Sequence, residues 1–304
     1  MKNSYKSSIV MMEFKRNLRE MSRGLLFIII IMTLAFLSYI SIIELKGSVF
    51  DYNGLGNLTH FVIFYKFFSG IISYYGLFFA ILSSFLIAND YESGHMAVVR
   101  SMKISQGKIV AGKIMFLYLL SVISLTIDFS VGFAFFHNGT TLNLAATKID
   151  SYVIIILSFS IIVFMFILIG TLIGTIFSKR INSVIASLAL VFLIEGISTF
   201  FNGFKNELMK NFYTIVVFKG NATELISHLI SPFYMSSFIP VMLNFYSNQY
   251  INPNGNTNES GVTYVARILF PPQDFYYYVV YIVSYASILI ISIYLAIYIK
   301  RRYT

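Results

Sequence analysis

Six apolar runs, each about twenty residues long or longer, constrain this chain more than any other feature. They cover residues 25–43, 64–88, 114–136, 151–177, 183–201 and 276–299. A hydrocarbon core about 30 Å thick takes about 20 apolar helical residues to cross, and a helix satisfies its own backbone hydrogen bonds on the way. Charged or turn-rich punctuation between the runs sets their number. The narrowest break is Ser178-Lys179-Arg180-Ile181-Asn182, where two adjacent cations predict a tight hairpin. Hydrophobic residues make up 57% of the chain and charged residues 12%, with mean hydropathy +0.77, too little polar material to coat a soluble domain of 304 residues. The expected fold class is all-α, a polytopic membrane protein with six transmembrane helices.

Lysine and arginine orient such a bundle, because positively charged loops stay on the cytoplasmic side. With the N-terminus inside, the inner set is the N-terminal segment, the 89–113 connector, the 179–180 hairpin and the tail Lys300-Arg301-Arg302. It holds 15 of the 22 cations and only four of the 13 acids. Both termini are therefore expected in the cytoplasm. The same asymmetry accounts for the net charge of +9, so no nucleic-acid partner is needed to explain it.

The expected organisation is one transmembrane domain over 1–304: an interfacial helix in 1–24, spans one to five in 25–201, an outer region in 202–275, and span six with its basic tail in 276–304. In the first segment Val10, Phe14, Leu18 and Met21 fall on one helical face, with Arg16, Arg19, Glu20 and Arg23 opposite. That pattern predicts an amphipathic helix in the inner headgroup layer, the alternative being a plain basic anchor. The first run is too long for a signal-peptide core and lacks a small-residue cleavage site, so it reads as an uncleaved span. In the outer region, Glu224 to Tyr246 is apolar but broken by Pro232 and Pro240, which suits interfacial or re-entrant helices. A seventh crossing there would put the basic tail outside. Sequons at Asn57, Asn138, Asn221 and Asn258 all fall in segments placed outside.

Catalytic inventory is thin. Cysteine is absent, and His60, His95, His137 and His228 form no ligand spacing, which speaks against a thiolate or zincin-like metal centre. Gly107 to Lys113 matches seven positions of a phosphate-binding loop. Ile114 then stands where a hydroxyl residue for Mg²⁺ is required, so that match is rejected. Tyr276, Tyr277, Tyr278 and Tyr281 at the start of the sixth run read as an interfacial belt.

The connector between the second and third runs holds more information. Asp90 and Glu92 sit just past the inner end of span two, where anionic lipid disfavours carboxylates and cations on a docking protein would favour them. Gly94 permits a turn that a Cβ resists. Surface salt bridges from the two acids to Arg100 or Lys103 are the plainer alternative. The order Asp90, Glu92, Gly94, then Ile104-Ser105, then Gly112-Lys113 opening the next span resembles the permease subunits of type-2 ABC transporters. In that family an acidic Gly turn is followed by a short helix ending near Pro-x-Ser and by a Gly-Lys pair. His95-Met96 replaces the family's Thr-Leu, and Lys103 stands at its proline. The N-terminal amphipathic helix, six spans and the outer region between spans five and six are similarly arranged there.

The resemblance implies a multi-pass permease in a prokaryotic cytoplasmic membrane, paired with a second permease and exporting a substrate along the dimer. Two copies of a separate ATP-binding subunit would supply ATP and Mg chemistry. This chain would have no cofactor and no catalytic residue of its own, and Asp90, Glu92, Gly94, Ile104, Ser105, Gly112 and Lys113 would couple it to the ATPase. Asp128 and Glu195, ionisable groups within spans three and five, suggest a substrate path or gate, with Lys66 as a partner. A structural intramembrane pair is the alternative. Their presence also admits an ion-coupled secondary transporter, while a membrane-embedded enzyme lacks its nucleophile and metal sets.

Overall fold

The computed structural model describes residues 4–23, 58–139, 149–194 and 275–303, with three single helical positions at Met32, Phe36 and Tyr39. The described segments form seven helices: α1 Ser4–Arg23, α2 Leu58–Glu92, α3 His95–Ser101, α4 Gln106–Gly139, α5 Ile149–Ile176, α6 Arg180–Ile194 and α7 Phe275–Tyr303. The second, third, fourth and sixth apolar runs thus lie within or nearly within α2, α4, α5 and α7. The fifth opens in α6, which begins at Arg180 after a break over Phe177 to Lys179, three residues ahead of the expected start at 183. Most of the first run, Glu195 and the outer region over 202–274 fall outside the described residues.

Three helical stretches, Gln106–Asp128, Phe159–Ile176 and Ile282–Arg302, are long and apolar enough to cross a membrane. The chain is therefore all-helical where it is described, with apolar helices of the kind a bilayer requires. At 35 residues α2 extends about 52 Å at 1.5 Å per residue, so its polar end stands clear of its apolar middle.

The centre of the bundle is α5, packed against α2, α4 and α7. It is apolar all round, as a helix enclosed by other helices must be. Small residues bring α5 and α2 together: a Cβ on Gly170 would lie 2.1 Å from the Ala80 carbonyl oxygen, and one on Gly174 2.7 Å from that of Ser84. Hydrogen bonds use the close approach, with Ser83 Oγ donating to the Ile167 carbonyl at 2.9 Å. Ser183 Oγ on α6 likewise donates to the Ser84 carbonyl at 3.2 Å. Van der Waals contact and such bonds replace the hydrophobic drive that lipid cannot supply.

The packing of α1 differs from the face expected of it. Val10, Glu13, Phe14 and Asn17 turn towards α4, while Leu18, expected with the apolar set, is 53% exposed alongside Met11. The reason lies at Gly112, where a Cβ would meet the Val10 carbonyl oxygen and the Glu13 Cβ at 3.1 Å. This bare spot on α4 admits the α1 backbone, and the Phe14 and Phe116 rings close the contact edge-to-face at 5.5 Å. Arg16 was expected on the opposite, polar face; it is part-buried instead, and Glu13 and Asn17, which that reading assigned to neither face, are buried in this joint.

Candidate functional site: the connector junction

Five helix ends meet around residues 89–113. The C-terminal end of α2 feeds α3 through Gly94, whose φ of +74° is the left-handed conformation that the sequence pattern required of it. Ala97 and Val98 amides donate to the Gly94 carbonyl at 3.0 and 3.1 Å and start α3. Its end is a Schellman motif: the Ile104 amide donates to Val99 at 3.1 Å and the Lys103 amide to Arg100 at 3.0 Å. Lys103 takes φ +56° at the left-handed position. Proline, fixed near −65°, has no access to that conformation, so a lysine closes the turn in a way that proline could not. Val99 and Ile104 both enter the apolar core, the contact that usually completes this motif.

The short helix α3 has two faces. Met96 and Val99 are buried, and Gln106 Nε2 donates to the Met96 carbonyl at 3.2 Å, tying α3 to the start of α4. Outward lie Ala97, Val98 at 51% exposure, Ser101 and Met102 at 64%. Ser105 follows, also exposed.

Beneath α3 sits a buried charged cluster. Asp90, 3% exposed, accepts from Lys113 Nζ at 2.7 Å and from Arg16 at 3.4 Å. Lys113, 2% exposed, also donates to the Leu86 carbonyl at 2.7 Å. Arg16 donates to Glu13 Oε1 at 2.6 Å, and its other terminal nitrogen contacts His95 Nε2. The ligand atoms of Glu13, Asp90 and His95 lie within 4.8 Å of one another. Arg16 reaches all three, so its guanidinium sits among them while Lys113 holds Asp90 from α4.

Glu92 lies apart from that cluster, on the exposed rim. It accepts from the Arg180 backbone amide at 2.8 Å and from Arg180 Nε at 3.0 Å. These bonds hold its carboxyl below its ordinary range. The anticipated surface partners were Arg100 and Lys103. Instead Asp90 pairs with Lys113 and Arg16, and Glu92 with Arg180 at the start of α6, because α2 runs on past its apolar segment into the ends of its neighbours. From α7, Lys300 Nζ lies 3.8 Å from the centre of the Tyr91 ring and donates to the Thr175 carbonyl at 2.6 Å. Burial pushes the Tyr91 phenol up to about 12, with Arg100 opposing and Asp90 adding to the shift, so it stays neutral.

The sequence-picked residues thus divide. Asp90, Gly94, Ile104, Gly112 and Lys113 form the joint, while Glu92 and Ser105 remain on its rim. Asp128 stands about 22 Å further along α4, buried and accepting from the Tyr75 hydroxyl on α2. Lys66 is carried on α2, but its side chain, like Glu195, lies outside the described residues. The sequence pattern did not single out Glu13, Arg16, His95, Arg180 or Lys300 as contacts of the connector. One available signal was the pairing of Glu13 with Arg16 at helical spacing inside an otherwise basic segment.

A scan against protein-family models finds no match to this chain, and a search of curated proteins finds no significant relative.

Proposed function

We propose that the chain is the transmembrane permease subunit of an ATP-driven exporter, built as a dimer and driven by separate ATP-binding subunits pressing on the 89–113 connector. The observation that carries this reading is α3: a short helix at one end of the bundle, with Met96 and Val99 buried and Val98 presented outward, joined through its base to α1, α2 and α4. Glu92 extends the linkage to α6, and Tyr91 to α7. A load on the outer face of α3 would be passed to every one of these helices at once. Packed helix ends respond to such a load by rigid-body tilting, the kind of motion that switches access to a path between two permeases.

In this reading all six apolar runs span, both termini face the cytoplasm and ATP hydrolysis belongs to the partner. The ends of α2, α5 and α7 and the starts of α4 and α6 share one side of the bundle, as alternating spans with short cytoplasmic turns require. The test is purification of the full chain from its native membrane, followed by substrate-stimulated ATPase assay of whatever complex it forms. A co-purifying ATPase that loses stimulation with Val98→Asp or Met102→Asp, while the chain still inserts, supports the proposal. Transport in sealed vesicles that follows an ion gradient and ignores ATP would favour the ion-coupled alternative, for which Asp128 is the buried carboxylate within the described apolar runs.

A further inference from the structure

We propose that His95 is a protonation-sensitive joint: neutral, it holds Arg16 in the buried cluster, and protonated, it expels the Arg16 guanidinium and loosens α1 from the connector. Arginine has donors and no acceptor, so the Arg16 contact with His95 Nε2 requires that nitrogen to be unprotonated. A bond between Arg16 and His95 therefore needs the neutral imidazole.

The charges around it leave no room for another cation. Around His95 lie Glu13 and Arg16 from α1 and Asp90 from the end of α2, with Lys113 of α4 bonded to Asp90; Arg100 is carried on α3 itself. Within the cluster two carboxylates balance two cations, Arg16 and Lys113. A proton on His95 makes three cations share Glu13 and Asp90, removes the acceptor for Arg16 and turns Nε2 into a competing donor. One cation must leave. Lys113 is almost fully enclosed and also bonded to the Leu86 carbonyl, whereas the Arg16 side chain keeps 28% of its surface exposed. Arg16 is the group with a way out.

The outcome is a cytoplasmic pH input to the junction. The joined state binds the neutral form, so it is complete above the imidazole range and is lost as pH falls through it. An ordinary imidazole titrates near 6.5, within the span that cellular conditions can cross. With Arg16 gone, α1 loses its bonds to Asp90 and His95, while its apolar seat on α4 remains.

Arginine side-chain NMR on the full-length protein in detergent reads this directly. A held guanidinium shows separate Nη signals because rotation about Cζ–Nη is hindered, and a released one shows an averaged signal. The Arg16 resonances are identified by their loss in Arg16→Lys. Separate signals are expected at about pH 8 and averaged ones at about pH 5.5. His95→Gln keeps a neutral acceptor and should retain separate signals at both values. No change in the unsubstituted protein overturns the proposal, and that measurement needs no variant to fold. A His95→Gln protein that titrates like the parent also overturns it, since the proton would then be taken up by Glu13 or Asp90.

Discussion

Lys113 on α4 reaches Asp90 at the end of α2 at 2.7 Å, and the antiparallel register this sets brings Tyr75 and Asp128 together fifteen residues further along both helices. Two polar clasps about 22 Å apart therefore hold one helix pair. The upper clasp is enclosed: Tyr75 is fully buried and Asp128 is 4% exposed. A carboxyl satisfied by a phenol inside the bundle is arranged for structure more than for contact with cargo. Tyr75→Phe and Asp128→Asn should each lower the melting temperature of the purified chain, with a coupling of about 1–2 kcal/mol in a double-mutant cycle. If the chain transports as proposed, transport per folded complex should be preserved. A large loss of transport at unchanged melting temperature would return Asp128 to the substrate path.

The lower clasp predicts an asymmetry between single and double substitution. Lys113→Met leaves the Asp90 carboxylate buried with Arg16 alone, 3.4 Å away, and should cost about 3–5 kcal/mol. Adding Asp90→Asn removes the stranded charge, so the double variant should recover much of the loss. Thermal unfolding of the three variants in one detergent measures this. A double variant less stable than the Lys113 single would show that the pair is not the main partner of Asp90.

The sequence made some of this junction legible and hid the rest for identifiable reasons. Period and length placed α2, α4, α5 and α7, since twenty apolar residues between charged breaks leave few alternatives. Gly94 was readable because only a turn explains a glycine after two acids at a helix end. Glu13 and Arg16 were not, because amphipathicity assigns charged residues to the polar face and is blind to a glycine on another helix. At Gly112 the α1 backbone sinks against α4, and the buried face turns to include Glu13 and Asn17. The partner of Glu92 was equally hidden: Arg180 lies 88 residues away, and no local spacing connects them.

The turn after α3 gives a test at one backbone position. Lys103 occupies a left-handed conformation with no glycine to ease it. Lys103→Gly should keep the Schellman bonds and stabilise the turn by about 1 kcal/mol. Lys103→Pro both excludes φ +56° and deletes the amide that donates to Arg100. Hydrogen exchange at the Ile104 amide should slow in the glycine variant and accelerate at least tenfold in the proline variant. Equal exchange in both would mean that the turn does not depend on this conformation.

Glu92 and Arg180 join the connector to the α5–α6 hairpin on the exposed rim, so their bond can be altered without disturbing the core. Because Arg180 holds the Glu92 carboxyl below its ordinary 4.5, the contact contributes above that value and is lost as pH falls through the lowered one. The chain lacks cysteine, so Glu92→Cys with Arg180→Cys provides a crosslink without background. Oxidation should form the disulfide in high yield, and reduction should reverse it. If the chain is the permease proposed above and its connector must move relative to the hairpin, the crosslinked complex should lose most of its substrate-stimulated ATPase activity and regain it on reduction. Glu92→Gln should lower coupling only modestly, since the Arg180 amide still has an oxygen to meet. Full activity in the crosslinked complex would show that connector and hairpin travel as one body, leaving α1 and α7 to carry any relative motion.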